Sequence, residues 1–217
     1  MTHTAVLFDL DGTLLDTLED LGDSMNVALQ SLGYPSHEMD SYRYFVGDGV
    51  EILARRALPE EARRDEAVVR ECVTRMRAQY ARRWKDKTHL YPGMSELLDG
   101  LAQRGVKSAI LSNKPHPAVV EVVDHFFKSW HFDTALGARP GVPIKPDAGA
   151  ALEVARVMAV PPGAFLYVGD TNTDMATDVA AGMFPVGALW GFRTEKELRE
   201  SGARALAARP QEILDLL

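Results

Sequence analysis

Short apolar runs and helical stripes alternate along much of the chain, and this alternation predicts its fold class. The run Ala5-Val6-Leu7-Phe8 is too short for a helix and is typical of a buried strand. We predict further strands at residues 106–111, 132–136, 165–168, 183–189 and 203–206, and helices at 94–104, 117–127, 147–158, 174–181, 195–201 and 211–217. Strands that alternate with helices favour right-handed crossovers and a mainly parallel sheet. The pattern therefore predicts a doubly wound α/β fold with helices on both faces of the sheet.

Residues 16–90 depart from this alternation, because their apolar residues recur only at helical spacing. The helical stripes cover residues 18–32, 50–58 and 61–84. We predict two domains, an α/β core formed by residues 1–15 and 91–217 and an inserted all-helical domain formed by residues 16–90.

Composition narrows the range of functions. A chain of 217 residues with 46% hydrophobic residues can build a sizeable core, and its net charge of −7 argues against non-specific binding to nucleic acid or membranes. No apolar run approaches the length of a transmembrane helix. Cys72 is the only cysteine, so no intrachain disulfide can form. We predict a cytoplasmic protein, monomeric or homodimeric, that binds a small molecule and neither nucleic acid nor a membrane.

Three of the predicted strands end in compact polar residues. Asp9 and Asp11 follow the first strand, Ser112-Asn113 the second and Asp170 the fourth. Ligands of doubly wound sheets bind at the carboxyl ends of the strands, so these groups should converge on one crevice. Two carboxylates as close as Asp9 and Asp11 hinder each other's ionisation unless a cation or buried donors compensate. The arrangement therefore favours a metal-assisted reaction.

Each polar residue also has a purely structural interpretation when it is taken alone. Asp16 and Glu19 have the spacing of a capping box at a helix start, and Ser112 could begin a turn. Asp174 could be the favourable negative charge at a helix N-terminus. Lys145 could be a surface charge beside a loop proline.

Four segments resemble, in order, the motifs of the haloacid dehalogenase superfamily. They are Asp9-Leu10-Asp11-Gly12-Thr13, Ser112 at a strand end, Lys145-Pro146, and Gly169-Asp170-Thr171-Asn172-Thr173-Asp174. Many relatives continue the lysine motif with a second proline two residues further on, whereas this chain has Ala148. The resemblance implies a Rossmann-like core, and it implies that the helical insertion is a cap that excludes water and recognises the substrate.

The resemblance also implies chemistry, namely a Mg²⁺-dependent phosphatase. Asp9 is the expected nucleophile, because a carboxylate can accept a phosphoryl group as an aspartyl-phosphate. Asp11 is the expected general acid and base. The Mg²⁺ ligands would be the side chains of Asp9 and Asp170 and the carbonyl group of Asp11, with Asp174 orienting the site or binding through water.

The remaining motif residues would bind the phosphate ester. Lys145 would neutralise charge on the transferring phosphoryl group. The hydroxyl of Ser112 and the nearby groups of Gly12, Thr13 and Asn113 would hold the phosphate oxygens.

The substrate is predicted from a closer resemblance to phosphoglycolate phosphatases. It lies in residues Phe45 to Val50, Ser112 to Pro115 and Trp190 to Phe192. Lys114 is a reasonable partner for a substrate carboxylate. Three arginines of the predicted cap could also contact this carboxylate, namely Arg43, Arg55 and Arg56. For each of them, a solvated surface charge is at least as good an interpretation.

Other functions stay open at this point. A sugar-phosphate mutase of the β-phosphoglucomutase kind would share every core motif. A 2-haloacid dehalogenase would need neither Asp11 nor a metal, and a pure binding role would not require both Asp9 and Asp11. We therefore predict hydrolysis of 2-phosphoglycolate or a similar small phosphate monoester.

Overall fold

The computed structural model describes residues 3–217, so Met1 and Thr2 of the predicted core lie outside the described residues. The chain divides into two compact units. One comprises the residues up to 15 together with Leu90–Leu217, and the other is Asp16–His89. Among the described residues, no helix combines the length and apolarity needed to cross a membrane.

Within the described residues, the first unit contains a six-stranded sheet in which all neighbouring strands are parallel. The strands are β1 (Ala5–Phe8), β2 (Lys107–Pro115), β3 (Thr134–Ala138), β4 (Phe165–Gly169), β5 (Phe184–Ala188) and β6 (Ala205–Ala207). Their spatial order is β3-β2-β1-β4-β5-β6. The chain winds outward from β1 in both directions, which confirms the predicted doubly wound, Rossmann-like α/β fold.

The α-helices are α1 (Leu18–Ser31), α2 (Met39–Phe45), α3 (Val50–Ala57), α4 (Glu66–Arg83), α5 (Met94–Gln103), α6 (His116–Phe126), α7 (Gly149–Met158), α8 (Asn172–Ala181) and α9 (Glu195–Glu200). Helices α7 and α8 pack on one face of the sheet. Tyr167 of β4 and Leu7 of β1 are buried there with Val154 of α7. Burial of aliphatic side chains such as Leu7 and Val154 stabilises the fold by ~1.5–3 kcal/mol each.

Strand β1 lies at the centre of the sheet, and its position aligns the strand ends that carry the candidate chemistry. Phe8, its last residue, pairs with Ile110 of β2 and with Val168 of β4. All four β1 residues are fully buried, as expected for a strand with neighbours on both sides and helices on both faces. Asp9 therefore follows directly at the point where the winding direction of the sheet reverses.

Some element boundaries in the first unit differ from the prediction. Strand β2 continues to Pro115 instead of ending at residue 111, because the polar residues after Leu111 stay extended and Pro115 pairs with Ala138 after a register shift. The last helix is a 3₁₀-helix, Pro210–Leu216, and another 3₁₀ segment, Pro162–Ala164, precedes β4.

The helical unit differs from the prediction in its details. Helix α2 was not predicted, and its Tyr42 is buried through contact with Phe45 and a 2.7 Å hydrogen bond to Asn26 Oδ1. The helix predicted at 61–84 is interrupted, because Asp65 accepts a hydrogen bond from Ala67 N and so starts α4 after the 3₁₀ segment Ala62–Arg64.

The start of α1 was also predicted incorrectly. Thr17, and not Asp16, is the residue that precedes the first helical turn. Asp16 Oδ1 accepts a 3.2 Å hydrogen bond from Leu18 N, while Glu19 pairs with Lys87. The capping box is therefore absent. Two unpredicted two-residue strands, Leu15–Asp16 and His89–Leu90, form a separate small sheet.

Candidate active site

Asp9 and Asp174 both contact Lys145 in the interior of the first unit. Lys145 Nζ lies 2.8 Å from Asp9 Oδ1 and 2.7 Å from Asp174 Oδ1, and it also donates to the Leu111 carbonyl at 3.2 Å. All three charged side chains are buried. The structure thus brings together residues from three predicted motifs, although the nucleophilic and charge-neutralising roles of these residues stay predictions.

Asp170 is held on both of its carboxylate oxygens. Thr13 Oγ1 donates to Asp170 Oδ1 at 2.8 Å, and the backbone N–H of Phe192 donates to Oδ2 at 2.8 Å. Gly12, in the turn after β1, has φ +90° and lies so close that a Cβ atom there would collide with the Asp170 carboxylate. This turn therefore requires glycine for both conformation and space.

Asp174 caps helix α8 and also contacts Lys145. Its Oδ2 accepts hydrogen bonds from Thr171 N at 3.0 Å and Thr171 Oγ1 at 2.6 Å, while Thr171 Oγ1 accepts from Asp174 N. The pair forms a capping box at the start of α8. Its Oδ1 remains directed to Lys145, so the same side chain caps a helix and joins the charged cluster.

Asp9, Asp170 and Asp174 each contribute one oxygen to a cluster whose atoms lie within 4.8 Å of one another. Burial, followed by the charge of Asp174, raises the pKa of Asp9 well above its usual value. The same two causes raise the pKa of Asp170 to about 7. Asp9 and Asp174 share the ammonium group of Lys145, so the buried cluster carries more negative than positive charge at that lysine. Hard oxygen ligands of this kind suit a divalent cation. The donor set therefore fits the predicted metal site.

Burial opposes the charged form of Lys145, but Asp174 and Asp9 outweigh it and raise its pKa well above the usual value. Its backbone is fixed by the side chain of Asn113, which accepts from Lys145 N at 2.9 Å and donates to the Lys145 carbonyl at 3.1 Å. The Lys145–Pro146 peptide bond is cis. The observed contacts of Asn113 therefore position the lysine segment.

Asp11 lies in the turn after β1, and its carboxylate has a different environment. Lys114 Nζ lies 2.8 Å from Asp11 Oδ1 and 3.1 Å from Oδ2. The Ser112 hydroxyl accepts a 3.2 Å hydrogen bond from Lys114 N. The predicted phosphate contacts of Gly12, Thr13, Ser112 and Asn113, and the metal-binding carbonyl of Asp11, stay predictions.

Sequence reasoning missed two groups near the cluster, Tyr167 and Asp178. The Tyr167 hydroxyl lies 3.5 Å from Asp174 Oδ1, and burial raises the pKa of Tyr167 well above its usual value. Asp178, fully buried on α8, has no hydrogen-bond partner for either carboxylate oxygen among the described residues. Strand alternation and the four-residue spacing from Asp174 could have indicated Tyr167 and Asp178.

The three arginines singled out in the helical unit form ion pairs within that unit. Arg55 contacts Glu51 at 2.9 Å and Glu66 at 2.6 Å. The other two pairs are Arg56 with Asp48 and Arg43 with Asp40. These contacts agree with partly solvated charged helix surfaces, and a substrate contact for these arginines stays a prediction.

Comparison with known proteins gives matches over most of the chain. Residues 6–188 match the profile of the family described as haloacid dehalogenase-like hydrolase. A phosphoglycolate phosphatase of Pseudomonas putida KT2440 is 34% identical over 190 residues, which cover 86% of this chain and 70% of that protein. A phosphoglycolate phosphatase of Vibrio parahaemolyticus is 29% identical over 216 residues, covering 98% and 95%.

Solved structures agree with this similarity. A protein from Lactobacillus delbrueckii subsp. bulgaricus superposes with a TM-score of 0.92 at 29% identity, over 99% of this chain and 98% of that one. A predicted phosphoglycolate phosphatase from Haemophilus somnus gives a TM-score of 0.91 at 25% identity, with the same coverage of 99% and 98%. The likeness thus extends over both units.

Proposed function

This chain belongs to the haloacid dehalogenase-like hydrolase family, and we propose on that premise that it is a Mg²⁺-dependent phosphatase for 2-phosphoglycolate or a similar small phosphate monoester. One observation carries the proposal: Lys145 Nζ lies within 2.8 Å of Asp9, and Asp9 shares a carboxylate cluster with Asp170 and Asp174. A carboxylate beside a buried ammonium and a cation site suits transfer of a highly charged phosphoryl group. Relatives named phosphoglycolate phosphatase support the substrate class.

The proposed reaction has two steps. Asp9 attacks the phosphorus atom, and the bond from phosphorus to the leaving oxygen breaks as an aspartyl-phosphate forms. Asp11 gives its proton to the leaving oxygen. A water molecule then attacks the phosphorus atom and gives its proton to Asp11, and phosphate leaves as the Asp9 carboxylate is restored.

The surrounding residues stabilise the transferring group. Lys145 neutralises part of the charge on the phosphoryl oxygens, and the Ser112 hydroxyl holds one of them. A divalent cation held by Asp9, Asp170 and the Asp11 carbonyl, with Asp174 orienting the site or binding through water, would supply further charge stabilisation. Thr13 and Phe192 keep the Asp170 carboxylate in a fixed orientation through their hydrogen bonds. The role of the helical unit as a substrate-recognising cap stays a prediction.

A phosphate-release assay tests this proposal. Purified protein is incubated with a set of small phosphate esters that includes 2-phosphoglycolate, with Mg²⁺ or with EDTA. We expect Mg²⁺-dependent phosphate release that Asp9→Asn abolishes and that Asp11→Asn lowers by about 10²–10⁴-fold in kcat. Asp99→Asn makes the same chemical change at a side chain that accepts from Trp130, and it should leave kcat unchanged.

Three results would contradict the proposal. They are full activity in EDTA, turnover by Asp9→Asn, and conversion of a hexose 1-phosphate into its isomer without phosphate release. The last would identify a sugar-phosphate mutase.

A further inference from the structure

Lys114 engages both carboxylate oxygens of Asp11, the proposed general acid and base. The two distances from Lys114 Nζ are 2.8 and 3.1 Å, and the side chains are only 5% and 13% exposed. A general acid and base must direct one oxygen at the leaving group. In the observed arrangement both Asp11 oxygens face an ammonium group instead.

The position of Lys114 makes an exchange of partners feasible. It lies in the extended, irregular end of β2, and its backbone N–H donates to the Ser112 hydroxyl at 3.2 Å. The ammonium group is therefore carried by the same segment that would hold the phosphate. A buried ammonium that gives up a carboxylate incurs a desolvation cost unless another anion takes its place.

We propose that Lys114 exchanges Asp11 for a carboxylate of the substrate, so that binding of a carboxylate-bearing phosphate ester releases Asp11 to face the leaving oxygen. This inference rests on the proposed phosphatase function. A substrate with a neutral group in place of the carboxylate offers Lys114 no replacement anion, so Asp11 stays paired. The ion pair thereby selects short phosphate esters with a carboxylate near the ester oxygen.

A matched pair of esters separates this exchange from simple substrate binding. Ethyl phosphate carries a methyl group where 2-phosphoglycolate carries its carboxylate. Steady-state kcat and KM are measured for both esters with wild type, Lys114→Met and Lys114→Arg. Lys107→Met is the control, because Lys107 lies on the same strand and its Nζ donates to the Met158 carbonyl at 2.8 Å.

The exchange predicts opposite effects on the two esters. Lys114→Met should lower kcat/KM for 2-phosphoglycolate by about 30-fold or more, as expected when one partner of a buried charge pair is removed. The same variant should raise kcat for ethyl phosphate, because Asp11 is no longer held. Lys114→Arg should keep the preference for the carboxylate ester, and Lys107→Met should change neither ester.

Two results would overturn the exchange. An equal fall for both esters would show that Lys114 serves only the fold or Asp11 itself. A loss confined to 2-phosphoglycolate, with kcat for ethyl phosphate unchanged, would show that Lys114 binds substrate without restraining Asp11. Circular dichroism checks folding, and Lys114→Gln replaces Lys114→Met if that variant does not fold. Failure of wild type to hydrolyse any small phosphate ester would instead refute the underlying phosphatase function.

Discussion

At the residue scale, hydrogen bonds from neighbouring groups hold two carboxylates of the metal-site cluster in place. Asp170 is fixed by Thr13 and Phe192, and Asp174 is fixed by Thr171. The carboxylates of Asp170 and Asp174 are therefore oriented before any ligand arrives, which is how preorganised sites stabilise developing charge. Asp178, a buried carboxyl group near this cluster, differs from them, because its two oxygens have no hydrogen-bond partner among the described residues.

Asp178 provides a test of stability against pH. Burial, followed by the charge of Asp174, raises its pKa well above the usual value. A raised folded-state pKa gives stability that is fully present below the unfolded-state pKa of about 4 and is lost as pH rises through the folded-state value. The Asp178→Asn variant has no ionisable group at this position, so it does not lose stability in this way as pH rises. The free energy of unfolding of the variant, relative to wild type, should increase by up to about 1.4 kcal/mol per pH unit above pH 4.

Urea denaturation at several pH values between 5 and 8 measures this difference. Other titrating groups are present in both proteins, so their contributions largely cancel. A difference in unfolding free energy that stays constant with pH would mean that Asp178 is ionised in the folded protein.

At the element scale, α8 links helix capping to the site. Its capping box consists of Thr171 and Asp174, whereas α9 has an equivalent box formed by Thr194 and Glu197. The α8 box is buried and one of its members contacts Lys145, while the hydrogen bonds of the α9 box are exposed. Comparing the two capping boxes therefore distinguishes the effect of losing a helix cap from the effect of disturbing the site.

Thr171→Val and Thr194→Val form a matched pair. Each should destabilise its helix by about 0.5–2 kcal/mol, with Thr171→Val at the upper end because a buried oxygen of Asp174 loses a donor. Only Thr171→Val should also weaken Mg²⁺ binding, measured by isothermal titration calorimetry. Equal Mg²⁺ affinities for the two variants would show that capping by Thr171 does not orient Asp174 for a cation.

At the scale of the whole molecule, cation binding should be linked to stability and to pH. A ligand that binds only the folded protein stabilises it by about 2.7 kcal/mol at a hundred times its Kd. Because the pKa of Asp170 is raised to about 7, protons compete with the cation below that pH. Mg²⁺ should therefore raise Tm more at pH 8 than at pH 6.

Differential scanning fluorimetry with MgCl₂ measures this effect, with NaCl at equal ionic strength as the control. Asp170→Asn should abolish the Mg²⁺-specific part. A shift in Tm that is equal for Mg²⁺ and Na⁺, or that persists in Asp170→Asn, would argue against a cation at the carboxylate cluster.

The sequence predicted the doubly wound parallel sheet and the approach of Asp9 to Asp170, because the carboxyl ends of parallel strands lie at one edge of the sheet. Lys145 and Asp174 were predicted only through the resemblance to the family's motifs. The sequence did not predict the contacts between distant residues, such as Thr13 with Asp170 and Asn113 with Lys145, since these depend on tertiary packing rather than on local pattern. The extension of β2 past Leu111 was missed for the same reason, because pairing of Pro115 with Ala138 overrides the turn tendency of the polar residues between them.

The most direct test of the central claim is to trap the phosphoryl group on Asp9. Enzyme is mixed with 2-phosphoglycolate carrying a radiolabelled phosphoryl group in the presence of Mg²⁺ and is quenched with acid within one turnover. We expect label on the peptide that contains Asp9, lost on treatment with hydroxylamine as for an acyl phosphate and absent in Asp9→Asn. Label on a different residue, or label retained in Asp9→Asn, would contradict the account.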